Sequence, residues 1–336
     1  MSKVWVGGAS GFLGQTLVKE LVSRGQDVVA VSRSGGVIAG VDPKRYETVR
    51  VDVTDADAVA ESAKGSEVAY FAVGQVARDP DAALQLHRAH VVATEAGLDG
   101  LRRAGVRRVV VVSTSGTIAC GVDPARMYSE SDPTPHEVIT RWPYYRSKLF
   151  AERAALQRNQ SGAFDVVVVN PSLLLGPGDA RASSTLDVRR FLAGQLPALP
   201  SGGIALVDVR DVAQAMTVAA ERGRPGERYL LSAANMPLVV LFERLARLTG
   251  RRVPMLRLPK QPQLAVAAHW AYRKALDLVG GSTPIELSSV DMGSHFWYCD
   301  CAKAVRELGW APRDAMQTLS DTVNDILAED SLPRVS

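Results

Sequence analysis

Short apolar runs alternate with amphipathic stretches through the first half of the chain. Apolar runs bounded by turn residues predict strands at Lys3–Gly7, Asp27–Val31, Thr48–Asp52, Glu67–Ala72, Arg108–Ser113 and Phe164–Asn170. Helical spacing of apolar residues predicts helices at Phe12–Ser23, Ala56–Lys64, Ala82–Ala104 and Tyr144–Asn159. Strands that are apolar throughout and alternate with helices indicate a parallel sheet covered on both faces. The predicted fold class is therefore α/β, a doubly wound parallel sheet of the Rossmann type, with its ligand crevice at the carboxyl ends of the strands.

The alternation ends after Pro171, where proline and glycine become frequent. Helices are predicted there at Val239–Thr249, Gln263–Val279 and Thr318–Leu327. Segments Ile204–Val209 and Arg228–Leu231 read as strands that return near the main sheet. We expect a nucleotide-binding domain over residues 1–170, to which 204–222 returns, a smaller substrate lobe over most of 171–330, and a disordered tail over 331–336.

A glycine-rich turn joins the first strand to the first helix. Gly8, Gly11 and Gly14 have the spacing Gly-x-x-Gly-x-x-Gly. Glycines in this position allow a tight turn and a close approach of the backbone to a pyrophosphate, which the helix N-terminus stabilises with its N–H groups and partial positive charge. The loop predicts a dinucleotide site, although glycines also occur in turns with no ligand.

The end of the second strand discriminates between the two nicotinamide dinucleotides. NAD-binding proteins usually place a carboxylate there to accept from the ribose 2′-hydroxyl. This chain has Ser32 and Arg33 instead, a hydroxyl and a guanidinium that attract a 2′-phosphate. NADP(H) is therefore favoured over NAD(H), the alternative being that Arg33 only faces solvent. Asp52 and Val53, which follow the third strand, are candidates for contact with the adenine. The alternative is that Asp52 is an aspartate in a solvated turn.

A tyrosine and a lysine four residues apart share one face of the helix near residue 144. Tyr144 is a candidate acid–base group, because the ammonium of Lys148 and an oxidised nicotinamide would both favour its phenolate. Lys148 can also hold the nicotinamide ribose. Tyr145 is the second choice as the phenol. A hydroxyl of the 113–115 turn, which follows the fifth strand, is expected to polarise a substrate oxygen, or else only caps the turn.

Composition excludes several classes of function. The 39 basic and 36 acidic residues are well interspersed, and the net charge is +3. This charge pattern does not predict a basic surface for binding nucleic acid or an anionic membrane. The three cysteines suggest a reducing cytoplasm, and Cys299-Asp300-Cys301 is interpreted as structural, so no metal is expected. No apolar run has the length of a membrane span. We expect a cytoplasmic protein.

These motifs, in this order, resemble the extended short-chain dehydrogenase/reductase superfamily, which includes the NAD-dependent epimerases and dehydratases. Within it the chain is most similar to dihydroflavonol-4-reductase-like reductases, including 3β-hydroxysteroid relatives. The resemblance implies a catalytic set of Tyr144, Lys148 and Thr114, with Ser115 one position away as the alternative hydroxyl. It also implies that the segment at Pro171 and Ser172 meets the nicotinamide carboxamide, and it makes a homodimer a family-level expectation. The full set of expected cofactor contacts is Gly8, Ser10, Gly11, Phe12, Leu13, Gly14, Ser32, Arg33, Asp52, Val53, Ala72, Val73, Lys148, Pro171 and Ser172.

Two departures from the family pattern affect what can be expected. His90 stands where relatives carry an asparagine with a proton-relay role, and we expect it to pack or to lie beside the ribose. Leu173 stands where nucleotide-sugar epimerases carry an asparagine that holds the diphosphate. The sequence therefore favours an NADPH-dependent oxidoreductase that acts on a small or hydrophobic ketone or aldehyde, or on the alcohol in reverse. The alternatives are a nucleotide-sugar epimerase or dehydratase, and a non-catalytic NADP-sensing regulator.

Overall fold

Twelve strands form three sheets in the computed structural model, which describes residues 3–278, 280–283 and 285–331. They are β1 (Lys3–Gly7), β2 (Asp27–Ser32), β3 (Tyr46–Arg50), β4 (Ser66–Phe71), β5 (Arg108–Val112), β6 (Asp165–Pro171), β7 (Leu173–Leu175), β8 (Ala198–Leu199), β9 (Gly203–Asp208), β10 (Arg228–Leu231), β11 (Ala234–Pro237) and β12 (Leu256–Arg257). Seven of them form the main sheet, in the order β10-β6-β5-β4-β1-β2-β3, and all of its pairs are parallel. The predicted doubly wound Rossmann fold is confirmed.

Helices connect the strands and cover both faces of the main sheet. They are α1 (Phe12–Ser23), α2 (Ala56–Ser62), α3 (Ala83–His87), α4 (Ala93–Arg103), α5 (His136–Ile139), α6 (Pro143–Gln157), α7 (Leu186–Leu192), α8 (Val209–Arg222), α9 (Leu238–Thr249), α10 (Pro262–Leu278), α11 (Leu287–Gly293), α12 (Ala302–Leu308) and α13 (Ala315–Ser331). The strand β1 illustrates why both faces are apolar. Val4 and Val6 point into the core beneath α1 and α8, while Trp5 points into the opposite core with Phe71.

The smaller lobe has its own core. The strands β11, β9 and β7 form a separate three-stranded sheet, and the side chains around it are buried against α7, α9 and α13. The predicted strand over 204–209 therefore belongs to this sheet rather than to the main one. Of the segment 204–222, only the helix α8 returns to the main sheet, where it packs against α1. The predicted strand over 228–231 does join the main sheet as β10.

Two predicted elements differ from those observed. The helix predicted over 82–104 is interrupted between α3 and α4 by a π-helical turn at Arg88–Val92. The third strand ends at Arg50, so Asp52 lies beyond it in a turn. Helix α13 continues to Ser331, and the rest of the predicted tail, 332–336, lies outside the described residues.

Candidate active site

A cavity of about 900 Å³ lies at the carboxyl edge of the main sheet, between it and the smaller lobe. Three groups of residues line it: the turns that follow β1, β2, β4, β5 and β6, the start of α6, and segments of the lobe around Asp179, Ile204 and Met292. This is the crevice in which doubly wound sheets bind ligands. The end of the cavity formed by the turns after the strands is lined largely by backbone, whereas the end beside the lobe is lined mostly by side chains.

The glycine turn has the three distinct roles expected of a dinucleotide loop. Gly8 has φ +78°, and a Cβ there would lie 2.4 Å from the carbonyl oxygen of Ala72. A Cβ on Gly14 would lie 2.1 Å from the carbonyl oxygen of Gly8, so only glycine lets α1 pack this close to the turn. Gly11 lines the cavity, and a Cβ there would project within 3.3 Å of the Gly8 oxygen and would occupy space at the helix entrance.

The N-terminus of α1 is open to an anion. Its N-cap is Gly11, no side chain caps the helix, and no acidic residue stands in its first turn. The N–H groups of the first turn and the positive end of the helix dipole therefore remain available to phosphate oxygens. Farther along the cavity, Ser172 has a buried hydroxyl without a hydrogen-bond partner among the described residues. A dinucleotide with a diphosphate and a terminal carboxamide fits both features.

Most of the predicted cofactor residues line this cavity. They are Ser10, Gly11, Phe12, Leu13, Gly14, Arg33, Ala72, Val73, Lys148, Pro171 and Ser172. The structure does not place the other four on the cavity wall: Gly8, Ser32, Asp52 and Val53. Gly8 shapes the turn from beneath, and Ser32 is buried within β2. The carboxylate of Asp52 accepts hydrogen bonds from the N–H and hydroxyl of Thr54, while Val53 packs in the core.

Three side chains of the predicted catalytic set meet on the cavity wall. Pro143 is the first residue of α6, a position that proline favours, so Tyr144 lies in the first turn of this helix. The side chain of Thr114 lies close enough to the phenol of Tyr144 to lower the pKa of that phenol through hydrogen bonding. One helical turn further on, Lys148 donates from Nζ to the carbonyl oxygen of Val112 at 2.8 Å, which fixes the ammonium against the end of β5.

The competing hydroxyl of Ser115 and the competing phenol of Tyr145 also line the cavity, but each has another neighbour. The hydroxyl of Ser115 lies beside the thiol of Cys299 and lowers the pKa of that thiol. The ring of Tyr145 stacks on Trp297 with centroids 4.6 Å apart and packs over Gly116, where a Cβ would lie 2.2 Å from it. Tyr145 is therefore held by an aromatic cluster, and Thr114 is the hydroxyl that contacts Tyr144.

Burial sets the protonation states of the tyrosine and the lysine. It raises the pKa of Tyr144 to about 12, and the hydrogen bond with Thr114 opposes this shift. It lowers the pKa of Lys148 to about 8, against the nearby carboxylate of Glu152, which raises it. Thr114, rather than the charge of the Lys148 ammonium, is what opposes the effect of burial on the pKa of Tyr144. Ionisation of Tyr144 near neutral pH therefore needs a further positive charge in the cavity.

A buried carboxylate beneath Lys148 escaped the sequence analysis. Glu152 lies one turn after Lys148 on α6 and is 2% exposed. Its carboxylate accepts from the hydroxyl of Ser113, from Thr117 at 2.8 Å and from the Asn170 amide at 2.7 Å, and it pairs with Arg228 at 3.0 Å. These bonds join α6 to the ends of β5, β6 and β10, so they position both Lys148 and the Thr114 turn. The i, i+4 spacing after the lysine was the available signal.

His90 is brought to the site by the π-helical turn, a feature that often marks functional positions. Its Nε2 accepts from the N–H of Gln75 at 3.0 Å, so the neutral ring carries its proton on Nδ1, 2.8 Å from the Ser147 hydroxyl. That hydroxyl donates to the carbonyl oxygen of Tyr144 at 2.8 Å. Burial, with the Lys148 ammonium, lowers the pKa of His90 to about 3. His90 is thus a neutral residue that positions α6.

The far end of the cavity combines an apolar cluster with polar and charged side chains, among them Arg78, Arg181 and Glu286. Trp142, Tyr145 and Trp297 form one aromatic cluster beside Leu173, Leu174, Leu186, Ile204 and Met292. Three other aromatic residues lie outside the cavity: Phe191 in the lobe core, Tyr298 buried against Gly203, and Trp270 exposed on α10.

An ion pair joins the two domains across this end. The guanidinium of Arg78, in the turn after β4, donates to both oxygens of Asp187 on α7 at 2.9 and 2.8 Å. The hydroxyl of Ser288 also donates to the carbonyl oxygen of Arg78 at 2.8 Å. No local sequence pattern predicts this ion pair, because Arg78 and Asp187 lie more than a hundred residues apart in the chain.

Neither a metal site nor a membrane-crossing helix is found in the part of the chain that the structure describes. No three His, Cys, Asp or Glu residues cluster there with the geometry of a metal centre. No helix there is both long and apolar enough to cross a bilayer.

Comparisons with known proteins agree with this geometry. The family model described as the NAD dependent epimerase/dehydratase family matches residues 4–232. The chain is 32% identical to a Synechocystis sp. protein named after dihydroflavonol 4-reductase, over 95% of this chain and 93% of that one. It is 31% identical to the 4-hydroxy-2-methyl-3-oxo-4-farnesyl-3,4-dihydroquinoline-1-oxide ketoreductase of Stigmatella aurantiaca, over 93% and 92% of the two chains.

A solved structure extends the similarity to the whole fold. The crystal structure of gox2253 superposes with a TM-score of 0.78 at 24% identity, and the match covers 99% of this chain and 100% of that one. The resemblance inferred from the glycine loop and the tyrosine–lysine pair is therefore confirmed. The chain belongs to the NAD-dependent epimerase/dehydratase family, the extended branch of the short-chain dehydrogenases/reductases, and is an NAD(P)-dependent oxidoreductase.

Proposed function

We propose that this protein is an NADPH-dependent reductase that converts a ketone or aldehyde group of a hydrophobic substrate to the alcohol, and that can run in reverse. The observation that carries the proposal is the meeting of Tyr144, Thr114 and Lys148 between an anion-binding helix end and an apolar pocket. The reduced nicotinamide, when bound, supplies the hydride for the carbonyl carbon. The protein must then supply a proton to the carbonyl oxygen and hold that oxygen in place.

The side chains divide this work. Thr114 and Tyr144 present neighbouring hydroxyls, so both can hydrogen-bond one carbonyl oxygen, and Tyr144 donates its proton as the oxygen gains charge. The high pKa of Tyr144 keeps the phenol protonated before reaction, as a proton donor must be. In the reverse direction, the positive charge of an oxidised nicotinamide would favour the phenolate. Lys148 holds the ribose, and Glu152 keeps its ammonium charged.

The preference for NADP(H) is attributed to Arg33. Its guanidinium is exposed at the cavity edge after β2, and it has no hydrogen-bond or ion-pair partner among the described residues. A ribose 2′-phosphate would give it one. We expect Arg33→Ala to raise the KM for NADPH roughly 10- to 100-fold, the cost of one charge-assisted contact, and to leave the KM for NADH nearly unchanged. Lys44→Ala, which removes an exposed cation away from the cavity, is the matched control.

The apolar end of the cavity supports a hydrophobic substrate. Leu173 and Leu174 offer no hydrogen bond to a sugar diphosphate, and the Trp142–Tyr145–Trp297 cluster suits a ring or an alkyl chain. The Stigmatella relative, named as the ketoreductase of a farnesyl-bearing dihydroquinoline, has a substrate of this kind. The proposed substrate class is therefore an apolar ring or chain that carries a carbonyl group.

The proposal is tested by following NADPH and NADH consumption with a panel of carbonyl compounds that increase in apolar size, with a nucleotide sugar as the comparison. We expect net NADPH oxidation, with kcat/KM rising from short to larger apolar ketones or aldehydes. Conversion of the nucleotide sugar without net cofactor consumption would establish the epimerase alternative instead. Tight NADPH binding with no oxidation across the panel would favour the sensing role.

A further inference from the structure

Helix α10 on the smaller lobe presents an apolar face to the outside of the molecule. Its 17 residues span roughly 25 Å, and only Ala265 and His269 on it are buried. The exposed apolar side chains recur at helical spacing, and they are Leu264, Ala267, Ala268, Ala271, Ala275 and Leu278. Leu264 is 55% exposed and Leu278 is 88% exposed. The aromatic Trp270, at the edge of this face, is 54% exposed.

The segment that precedes α10 also exposes large apolar side chains. Met255 and Leu256 are 94% and 67% exposed around the short strand β12. Large exposed apolar side chains are normal when they are scattered singly over a surface. Here six of them fall within residues 255–278, which indicates that this part of the lobe has a partner.

The charge of the same segment identifies the kind of partner. Residues 251–278 contain six cations, Arg251, Arg252, Arg257, Lys260, Arg273 and Lys274, and one acid, Asp277. All six cations are exposed, and none forms an ion pair with another described residue. Elsewhere the arginines are commonly paired, as Arg158 is with Asp99 at 3.0 Å. The whole-chain charge of +3 conceals this local excess of five positive charges, since acids predominate elsewhere.

We propose that α10 and the preceding segment 251–261 dock this protein on an anionic lipid surface, with the helix lying in the interface. Interfacial helices combine an apolar face that enters the headgroup region with Lys and Arg that contact anionic lipids. Lys274, which lies within the apolar sector, can extend its ammonium to the headgroups while its stem stays apolar. A second copy of this chain fits less well, because it would bring two unpaired cationic patches together.

This docking would place the substrate end of the cavity near the lipid. Helix α10 packs against α11, and the Nε2 of His269 lies 3.0 Å from the carbonyl oxygen of Ile285. The neighbouring residues Glu286, Ser288 and Met292 line the cavity. The inference goes beyond the proposed function, and its test reads lipid binding rather than turnover, so either can fail without the other.

Trp270 provides the experimental signal. The other tryptophans, Trp5, Trp142, Trp297 and Trp310, are all buried. Addition of phosphatidylcholine vesicles that contain phosphatidylglycerol should therefore shift the tryptophan emission to the blue, and Trp270→Phe should remove the shift. Vesicles of phosphatidylcholine alone should produce much less of it. The protein should sediment with the anionic vesicles at low salt and be released at high salt.

Paired variants separate docking from a general charge effect. Arg273→Gln with Lys274→Gln should lower the vesicle partition coefficient roughly 30-fold, whereas Lys44→Gln with Arg107→Gln, which removes two exposed cations from the other domain, should lower it far less. Equal losses in both pairs, or no blue shift with anionic vesicles, would overturn the proposal. So would a blue shift that depends on protein concentration without lipid, which would identify a second copy as the occupant, or tighter binding to RNA than to vesicles.

Discussion

The two ends of the active-site cavity are built in different ways. The cofactor end is made of backbone: glycines, an uncapped helix start and the turns that follow adjacent parallel strands. The substrate end is made of side chains from distant segments, joined by the Trp142–Tyr145–Trp297 cluster and the Arg78–Asp187 ion pair. The comparison suggests that the first end is fixed by the fold and tolerates little change, while the second can be altered to change what is bound. Tyr144 stands at the border between them.

The largest effect is expected from Tyr144→Phe, which removes the proposed proton donor and leaves both ends intact. We expect kcat to fall by roughly 10²- to 10⁴-fold, the usual contribution of a general acid. The Kd for NADPH should stay within a few-fold of the original value, because the phenol is not part of the backbone cradle. Tyr145→Phe is the matched control and should retain most of the turnover. Equal losses in both variants would remove Tyr144 from its assigned role.

A pair of glycine variants separates ligand binding from folding at the cofactor end. Gly14→Ala places a Cβ 2.1 Å from the Gly8 oxygen, so we expect it to destabilise the protein by about 1–3 kcal/mol or more. Gly11→Ala meets that oxygen at 3.3 Å and projects at the phosphate site, so it should weaken NADPH binding with a smaller change in Tm. Thermal unfolding and cofactor titration of both variants measure the two effects. Normal NADPH affinity in Gly11→Ala would contradict the phosphate site.

Protonation of His90, which lies between the two ends of the cavity, should lower the stability of the folded protein at acid pH. The pKa of His90 is lowered from 6.5 to about 3 by burial, so between these values the unfolded chain binds more protons than the folded one. The free energy of unfolding should therefore decrease as the pH falls through this window, by about 2 kcal/mol between pH 7 and pH 5. His90→Asn retains a donor and an acceptor but does not titrate. Urea unfolding at the two pH values should show a weaker dependence for this variant, and an unchanged dependence would contradict the assignment.

The smallest effect is expected at the substrate end. Arg78→Ala breaks the ion pair with Asp187, which is partly exposed, so the change in unfolding free energy should be within about 1 kcal/mol. The KM for a hydrophobic ketone should rise a few-fold, because the pair joins the two domains across the pocket, while the KM for NADPH should not change. Steady-state kinetics with each substrate varied in turn measures this. An equal rise in both KM values would show that the two ends are not separable.

The same contrast explains how much of the site could be predicted from the sequence. The glycine loop, the strands and the Tyr144–Lys148 spacing are local patterns, and each appears where it was expected because strand–turn–helix geometry is encoded within a few residues. Asp52, expected as a cofactor contact, does not line the cavity, and the third strand ends two residues earlier than its apolar run suggests. Small shifts of this kind decide which side chains reach a ligand.

The features that escaped prediction depend on tertiary contacts. The π-helical turn that aims His90 into the site lies inside a segment with ordinary helical composition. The network around Glu152 assembles residues from three strands and a helix, and its members, such as Asn170 and Arg228, have no common sequence motif. Likewise, the strand β9 has the pattern of a main-sheet strand, and only the topology assigns it to the smaller sheet.

The central claim is that hydride passes directly from the nicotinamide to a carbonyl carbon in the cavity beside Tyr144. The most direct measurement uses NADPH that carries deuterium at C4 on the transferred face, with a ketone that the enzyme accepts, and follows the product by mass spectrometry. We predict one deuterium on the carbinol carbon in every turnover, and a greatly reduced yield of the same labelled product with Tyr144→Phe. Alcohol formed without deuterium, or labelled product formed equally fast by Tyr144→Phe, would contradict the account.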